Sequence, residues 1–456
     1  KTAYEIPKRD WSSDVCSSDL TGPSLDDFIY GNGGNDTLFG GDGQDYIDGG
    51  ADNDWLYGGN GNDTLLGGNG NDVLSGDAGN DLIDGGAGVD TVSYASSTAI
   101  VTVNLATNSA TGQGADTLFN IENVTGSNYK DYITGSAANN VINSGGGNDV
   151  LYASLGIDAL NGGAGQDSVN FAGLAAVSAN LGSGQYTLAS GGSGTLINME
   201  DVIGGSFGDT ITGNSGVNVL LGMDGADTLA GGAGNDEMFG GAGSDRLIAD
   251  GGNDLMSGNG NRGYSGPVDN ASDIFEIRTN AGSLTISDFA LGVDKLDLTA
   301  FGFNSNGVSA YWSGSAVQSG TNTLLTLTGL NSEVVSICLQ GVNNGHLLST
   351  SDMIGGSSSL IAPAPAFTPN GGDGQYTEFL ISPTTTSYAI PGFENNLDKL
   401  DIRPLINAGW DGLLSNVPGG TDAVLEFYGP GVNDHFSVTL TGVPYYQIDQ
   451  TDYITM

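Results

Sequence analysis

Hydrophobic and polar residues recur with a period of nine through much of the first half of the chain. From Gly31 to Ser93, seven consecutive units of nine carry an aliphatic residue at the eighth position and Asp at the sixth. The residues around each aliphatic side chain alternate in polarity, which predicts a short β-strand with one inward residue. The first six positions are rich in Gly and Asn, which predicts a turn that needs positive φ angles. The eighth-position residues are Leu38, Ile47, Leu56, Leu65, Leu74, Ile83 and Val92.

The nine-residue pattern returns twice further along the chain. Residues 126–170 contain five more units, and residues 204–257 contain six. Asp131 and Asp209 are 78 residues apart, so a longer repeat contains the shorter one. The segments between the blocks contain alternating stretches, VTVNLA in the first and VSANLG in the second. We expect these inserts to add strands and to return the chain to the same stack.

The small apolar surface of each unit predicts that the units stack into coils. Two units make one 18-residue coil, which buries only two aliphatic side chains, so neighbouring coils must supply the remaining contacts. The predicted fold class is all-β: a parallel β-roll, or β-solenoid, of nonapeptide repeats followed by two β-rich capping modules. Gly accounts for 78 of 456 residues, and each Gly inside a helix costs about 1 kcal/mol relative to Ala, so long helices are not expected.

The C-terminal third reads as two copies of one strand-rich module. The nine-residue period ends after Gly260, and ordinary alternating strands follow, including VDKLDL in the first copy and LDKLDI in the second. A segment containing Pro and Gly separates the copies. We expect the copies to cover an open end of the roll, as terminal repeats must.

The first twenty residues are set aside from the fold. They show no periodicity and no apolar core of a signal peptide, and the stretch from Arg9 to Leu20 resembles translated sequencing-adapter read-through; a disordered tail is the alternative. The predicted domains are 1–20 (artefact or disordered), 21–93 (first block), 94–125 (insert), 126–170 (second block), 171–203 (insert), 204–263 (third block), 264–360 (first capping module), 361–372 (linker) and 373–456 (second capping module).

Charge excludes several classes of partner. The chain has 53 acidic and 10 basic residues, a net charge of −43, which is incompatible with a nucleic-acid-binding surface. No apolar run approaches the roughly 18–20 residues of a membrane span. Only two Cys are present, so disulfides cannot hold the fold together.

The sixth-position Asp residues point to a metal. Carboxylates of successive coils stack at roughly 5 Å and repel by about 1–4 kcal/mol. A hard dication converts that repulsion into cross-linking, and oxygen ligands from Asp side chains and turn carbonyls suit Ca²⁺ better than Mg²⁺ or Zn²⁺. No His or Cys lies in these turns, which excludes a soft-metal site.

The units resemble the RTX, or haemolysin-type, calcium-binding repeat, whose pattern is GGxGxDxUx. The resemblance implies Ca²⁺ between successive turns on each side of the roll, roughly ten to fifteen ions in all. The sequence departs from this pattern at Asp52, which replaces the fourth Gly, at Ser154-Leu155, and at Asn140 and Asn218, which replace Asp. The sites at these positions should therefore be weak or empty. The implied ligands are Asp36, Asp45, Asp54, Asp63, Asp72, Asp81, Asp90, Asp149, Asp158, Asp167, Asp227, Asp236, Asp245 and Asp254.

Catalytic motifs are weak. No HExxH zinc-protease motif is present, and the two histidines, His346 and His435, lie outside the repeats. Gly204 to Gly208 matches the GxSxG pattern, but Ser206 falls in a repeat turn without a strand–turn–helix context. We therefore expect no enzymatic activity from these residues.

The resemblance implies a protein that folds on meeting extracellular Ca²⁺ after leaving the cell through type I export machinery. Its last residues, from Asp452 to Met456, resemble the uncleaved export signal of such proteins; a final edge strand is the alternative. The favoured role is a structural or surface protein, an adhesin or surface-layer component that binds a cell surface or itself. The alternative is the folding and secretion part of a larger enzyme or toxin, such as a protease, lipase or pore-former.

Overall fold

The structure, a computed structural model, describes residues 26–260, 271–302, 322–329, 333–342 and 353–354 in full. Elsewhere it places only the backbones of strand 312–319 and of seven strands between residues 378 and 454. The segments 1–20 and 361–372 lie outside the described residues. Contacts divide the chain into two units, Lys1–Phe301 with Val334–Gly341 and Asp352–Gly355, and the remaining residues from Gly302 onward.

The first repeat block forms strands that alternate between two parallel sheets. Each strand pairs with the strand two further along, so residues 18 apart are partners, as in Ile47 with Leu65 and Leu56 with Leu74. Six of the seven eighth-position residues are fully buried, and only Leu38, in the first unit, is half-buried. The strands are β1 (Phe28–Tyr30), β2 (Thr37–Asp42), β3 (Tyr46–Ala51), β4 (Trp55–Asn60), β5 (Thr64–Asn69), β6 (Val73–Ala78), β7 (Leu82–Ala87) and β8 (Thr91–Ser93).

Each insert adds an antiparallel meander to one of the two sheets. In the first, β9, β10 and β11 pair antiparallel, and the outer two pair in parallel with β13 and β7. In the second, β18, β19 and β20 do the same between β22 and β16, in the other sheet. The strands are β9 (Thr102–Asn104), β10 (Ser109–Thr111), β11 (Ala115–Phe119), β12 (Asn123–Thr125), β13 (Tyr132–Thr134), β14 (Val141–Asn143), β15 (Val150–Tyr152), β16 (Ile157–Asn161), β17 (Ser168–Asn170), β18 (Val177–Asn180), β19 (Gln185–Leu188), β20 (Ser193–Ile197), β21 (Asp201–Ile203) and β22 (Thr210–Thr212).

The parallel sheets continue past the third block. Strand β28 pairs with β26 and β29 with β27, and β30, β33 and β34 extend the same two ladders. In the second unit, β31 and β32 form an antiparallel hairpin. In the first unit, a 3₁₀ turn spans Thr299–Phe301. The strands are β23 (Val219–Asp224), β24 (Thr228–Ala230), β25 (Glu237–Ala242), β26 (Arg246–Ala249), β27 (Leu255–Ser257), β28 (Ile274–Ile277), β29 (Ser283–Ile286), β30 (Lys295–Asp297), β31 (Trp312–Ser319), β32 (Asn322–Gly329), β33 (Val334–Leu339) and β34 (Met353–Ile354).

The last seven strands repeat the pairing of the preceding seven. Strands β35, β37 and β41 form a parallel set, as β28, β30 and β34 do. Strand β36 pairs in parallel with β40, as β29 does with β33, and β38 pairs antiparallel with β39, as β31 does with β32. The strands are β35 (Glu378–Leu380), β36 (Tyr388–Pro391), β37 (Lys399–Asp401), β38 (Asp411–Asn416), β39 (Ala423–Tyr428), β40 (His435–Thr441) and β41 (Tyr453–Ile454).

The described residues therefore form an all-β parallel roll, which confirms the predicted fold class. They contain no α-helix. The described part of the chain also has no helix long and apolar enough to cross a membrane.

Candidate metal sites in the turns

The turns depend on glycine at two positions. Gly59 and Gly61, second and fourth in their unit, have φ angles of 108° and 141°, a region that side chains avoid. A Cβ atom added at Gly61 would lie 1.4 Å from the carbonyl oxygen of Gly43, one coil earlier. The turns of successive coils therefore stack with their backbones in contact. Asp52 takes the fourth position with φ of 74°, so the turn keeps its left-handed conformation there without glycine.

The sixth-position carboxylates form ladders along both edges of the roll. One carboxylate oxygen, Oδ1, accepts a hydrogen bond from the backbone N–H of the Asp one coil earlier. Asp45 donates to Asp63 at 2.8 Å, Asp63 to Asp81 at 2.9 Å, and Asp54 to Asp72 at 2.8 Å. The same bond recurs in the second and third blocks, from Asp149 to Asp167 and from Asp227 to Asp245, each at 2.8 Å. The position of each carboxylate is thus fixed by its neighbouring coil.

The second carboxylate oxygen, Oδ2, has no hydrogen-bond partner at most of the predicted ligands. A buried anionic oxygen without a donor is costly, because its lost hydration is not replaced. The residues concerned are Asp36, Asp45, Asp54, Asp63, Asp72, Asp81, Asp90, Asp149, Asp167, Asp227, Asp236 and Asp254. All of them except Asp36 are at most 3% exposed.

These oxygens face backbone carbonyls across the turn. A Cβ atom added at Gly58, the first residue of its unit, would lie 2.4 Å from Asp63 Oδ2 and 2.7 Å from the carbonyl oxygen of Gly76. Equivalent pairs of oxygens, one from an Asp side chain and one from a backbone carbonyl, lie beside Gly49 and Gly67. In the described residues no three Asp, Glu, His or Cys side chains converge as one metal-binding cluster. A cation held here must therefore take most of its ligands from turn carbonyls, a donor set of oxygens that suits Ca²⁺.

Burial and mutual repulsion raise the pKa of these carboxyls. Desolvation is the main cause, and neighbouring carboxylates on the ladder add to it. The pKa rises to about 6 at Asp54 and Asp63, to about 7 at Asp81 and to about 8 at Asp227. The N–H of the preceding Asp partly offsets the rise in each case. The metal-free turns therefore resist carrying their full charge at neutral pH.

Three predicted departures from the pattern differ visibly from the ordinary turns. The Oδ2 atom of Asp158 accepts hydrogen bonds from the hydroxyl groups of Ser154 at 3.0 Å and Tyr186 at 3.1 Å. Asn140 and Asn218 each donate a side-chain N–H to a backbone carbonyl one coil earlier, at 2.7 Å. The protein itself supplies partners for these three side chains. Asp245 lies in the ladder between Asp227 and Asp273.

Sequence reasoning overlooked four acidic residues that prolong the ladders beyond the repeats. Asp116 accepts from the N–H of Asp81 at 3.1 Å, and Asp273 accepts from the N–H of Asp245 at 2.9 Å. Glu122 and Glu200 accept in the same way from Asp90 and Asp167. For the two glutamates the signal was present in the sequence, because the inserts share the segments LFNIENV and LINMEDV at the 78-residue offset.

A second ladder of amide side chains runs beside the carboxylates. The fifth-position Asn53 accepts from the N–H of Asn71 at 2.7 Å, and Asn62 accepts from Asn80 at 2.8 Å. The bonds of this ladder point opposite to those of the Asp ladder, since here the later coil donates. The fifth-position Asn residues thus have a structural role.

Ser206, from the GxSxG match, lies exposed in the turn between β21 and β22.

Comparison with known proteins identifies the repeats. Residues 24–56, 57–92, 125–160, 145–173, 203–238 and 231–263 match the family described as the RTX calcium-binding nonapeptide repeat (4 copies). No curated protein sequence gave a significant match.

Two solved structures are among those similar to the chain. One is the extracellular lipase LipA from Serratia marcescens, with 18% identity over 51% of this chain and 40% of the lipase, and a TM-score of 0.19. The chain thus spans less than half the length of that lipase. The other is the AlgE6R3 subunit from the Azotobacter vinelandii mannuronan C5-epimerase, with 26% identity over 33% of this chain and 78% of the subunit, and a TM-score of 0.16. The family match covers all three repeat blocks, so these blocks are RTX calcium-binding nonapeptide repeats.

Proposed function

We propose that the chain is a secreted calcium-dependent protein whose roll folds when extracellular Ca²⁺ enters its turns. The observation that carries this is the row of buried Oδ2 atoms without hydrogen-bond donors. Several of them, such as those of Asp45, Asp63 and Asp227, stand near a carbonyl oxygen of the next coil. Within the described residues, none of them is paired with Lys or Arg. Binding of a cation there replaces the lost hydration and links two coils.

The charge balance supports the same mechanism. Roughly ten to fifteen Ca²⁺ ions would neutralise about 20 to 30 of the 43 net negative charges. Ions bound to the folded roll but not to the unfolded chain stabilise it by mass action. Metal binding and folding are then one process, as in other domains whose site does not exist in the unfolded chain.

This coupling fits export of an unfolded chain. At the low free Ca²⁺ of a cytosol, carboxylate repulsion keeps the repeats from folding, so the chain remains a substrate for type I export machinery. Outside, sites of about 10⁻⁴ to 10⁻³ M affinity fill at extracellular Ca²⁺ levels. We assign the protein a non-catalytic role as a structural or surface component, an adhesin or surface-layer protein, because repeat blocks, inserts and strand-rich modules occupy nearly all of its sequence.

Calcium titration followed by far-UV circular dichroism tests the mechanism. The full chain is dialysed against chelator and titrated to about 10 mM Ca²⁺, beyond the affinity range of extracellular sites. We expect the strand signal to appear with Ca²⁺ and to disappear on chelation, while Mg²⁺ at equal concentration has little effect. An identical strand signal in chelator and in calcium would refute coupled folding.

A further inference from the structure

The two inserts carry glutamates in the place of a sixth-position Asp. Asp90 donates its N–H to Glu122 Oε2 at 2.9 Å, and Asp167 donates to Glu200 Oε2 at 2.8 Å. Each glutamate directly precedes a strand, β12 or β21, that pairs in parallel with the strand after that Asp. Both glutamates lie outside the segments that match the repeat family. They nevertheless occupy the ladder position of a repeat Asp.

The residue two before each glutamate replaces the first glycine of a repeat turn. In ordinary coils, the carbonyl oxygen of the next coil's first glycine approaches the preceding glycine, as Gly85 does at Gly67 with a distance of 2.5 Å to an added Cβ. At the inserts, the carbonyl oxygens of Asn120 and Asn198 take this place, at 2.2 Å from an added Cβ at Gly85 and 2.4 Å from one at Gly162.

A left-handed backbone conformation allows a three-residue turn to take the place of the six-residue repeat turn. Asn120 and Asn198 each have a φ angle of 50°, in the left-handed region that Asn tolerates better than most residues. Their side-chain N–H groups donate to Asp84 and Asn161 on the preceding coil, at 2.7 and 2.9 Å. The Asn-Ile-Glu and Asn-Met-Glu turns thus present a carbonyl and a carboxylate in the positions that a nonapeptide turn uses.

An unsatisfied anion faces each of these turns. Asp90 and Asp167 are both 0% exposed, and the Oδ2 atom of each has no hydrogen-bond partner. At Gly162, Asp167 Oδ2 lies 2.6 Å from the added Cβ and so shares one side of the turn with the Asn198 carbonyl. At Asp167 the buried oxygen therefore lies beside a backbone carbonyl oxygen, as Asp72 Oδ2 does in the middle of a block; at Gly85, the Asn120 carbonyl lies near the side chain of Asp90.

The next coil ends the arrangement. Asn140 lies 18 residues after Glu122, and Asn218 lies 18 after Glu200. Each asparagine donates its side-chain N–H to the backbone carbonyl of that glutamate at 2.7 Å. In the coil after each insert, an amide N–H thus takes the place of the cation that a carboxylate would need. The replacement occurs at equivalent positions after both inserts.

We infer that Glu122 and Glu200 each complete one additional calcium site, with Asp90 and Asp167 respectively, and that Asn140 and Asn218 then terminate the row of ions. The inference rests on the proposed calcium function. It predicts that the first and second blocks hold one more ion each than their nonapeptide turns alone provide. The calcium rows therefore extend into the inserts.

Native mass spectrometry of the full chain in calcium counts the ions. The variants are Glu122→Gln, Glu200→Gln and the double variant, because Gln keeps the oxygen that accepts the Asp N–H and removes only the charge. We expect one bound ion fewer in each single variant and two fewer in the double. Asp48→Asn, which removes one charge from the outer face of β3, is the matched control and should leave the count unchanged.

The outcomes separate the two proposals. If the wild-type chain binds no calcium, the proposed function itself fails. If it binds calcium and the double variant binds the same number of ions, the glutamates only accept a hydrogen bond and the inference is wrong. If the variants do not fold, anomalous diffraction from calcium in wild-type crystals decides, since the inference requires a peak beside Asp90 and Glu122 and none beside Asn140.

Discussion

Turns within the first block differ from turns that follow the inserts in whether the sixth-position Asp has a hydrogen-bond donor for its Oδ2 atom. Asp72, in a regular turn, is 1% exposed and its Oδ2 atom has no donor. Asp131, at the start of the second block, is fully buried too, but its Oδ2 accepts the N–H of Ser127 at 2.6 Å, and its Oδ1 accepts the Ser127 hydroxyl at 2.9 Å and the N–H of Val101 at 2.8 Å. Asp209 repeats this pattern with the N–H groups of Gly205 and Val177.

The difference shows that a sixth-position Asp does not by itself indicate a metal. What separates the turns is whether the backbone can fold back to solvate the carboxylate. In GGxGxD turns the glycines at positions two and four direct the chain into the neighbouring coil, which leaves Oδ2 without a donor. In the turns before Asp131 and Asp209, a backbone N–H near the start of the turn reaches the carboxylate. Only the first kind of turn needs a cation.

The largest effect expected from this difference is a pH dependence of the stability of the calcium-free roll. Burial raises the pKa of Asp63 to about 6, of Asp81 to about 7 and of Asp227 to about 8. The folded roll therefore binds more protons than the unfolded chain between pH about 4 and 8, and its stability falls as pH rises through that range. We expect circular dichroism in calcium-free buffer to show more strand at pH about 5 than at pH about 8.

Calcium should abolish this pH dependence at neutral pH, because the bound ion favours the deprotonated ligands. A calcium-free roll that gains strand content as pH rises would contradict the assignment of unsolvated carboxylates. The same measurement with saturating Ca²⁺ is the control, and there the strand content should change little between the two pH values.

A smaller effect is expected from removing two ligands. Asp63→Ala combined with Asp72→Ala removes one carboxylate from each edge of the first block. At calcium a hundredfold above the dissociation constant, each lost site lowers stability by about 2.7 kcal/mol. We expect calorimetry to show fewer bound ions and a lower unfolding midpoint for the first block.

Asp131→Asn is the control that sharpens the comparison. It removes a buried charge of the same type, but one whose oxygens already have donors, so we expect a loss of stability without a loss of bound calcium. An unchanged calcium stoichiometry in the Asp63 and Asp72 variant would show that the ladder does not bind the metal.

The sequence predicted the features that repeat and missed those that occur once per insert. The aliphatic residue at position eight and the Asp at position six recur in phase, so the roll and its ladder followed directly from the period. The partners of Asp158 did not, because Tyr186 reaches it from a different strand, β19, at no fixed spacing. Glu122 and Glu200 were missed because their turns contain three residues where the repeat has six, so the nine-residue pattern does not register them.

The smallest effect concerns Asp158, which the repeat pattern places among the ligands and the structure surrounds with donors. Tyr186 is 1% exposed and packs against Phe171, with ring centroids 5.1 Å apart. Tyr186→Phe should keep this packing and remove one hydrogen bond, at a cost of about 1 kcal/mol. Thermal unfolding in saturating calcium measures the loss, and Tyr94→Phe, which removes the equivalent bond to Asp116 at 2.9 Å, is the matched control.

The number of bound ions distinguishes the two views of Asp158. If Ser154 and Tyr186 together solvate its carboxylate, the Tyr186→Phe chain binds as many ions as the wild type and is only less stable. If Asp158 is a ligand that the tyrosine merely orients, calcium affinity falls together with stability, and the fall is absent in Tyr94→Phe. The second result would return Asp158 to the class of Asp63 and Asp72 and would mean that hydroxyl donors do not replace a cation in this roll.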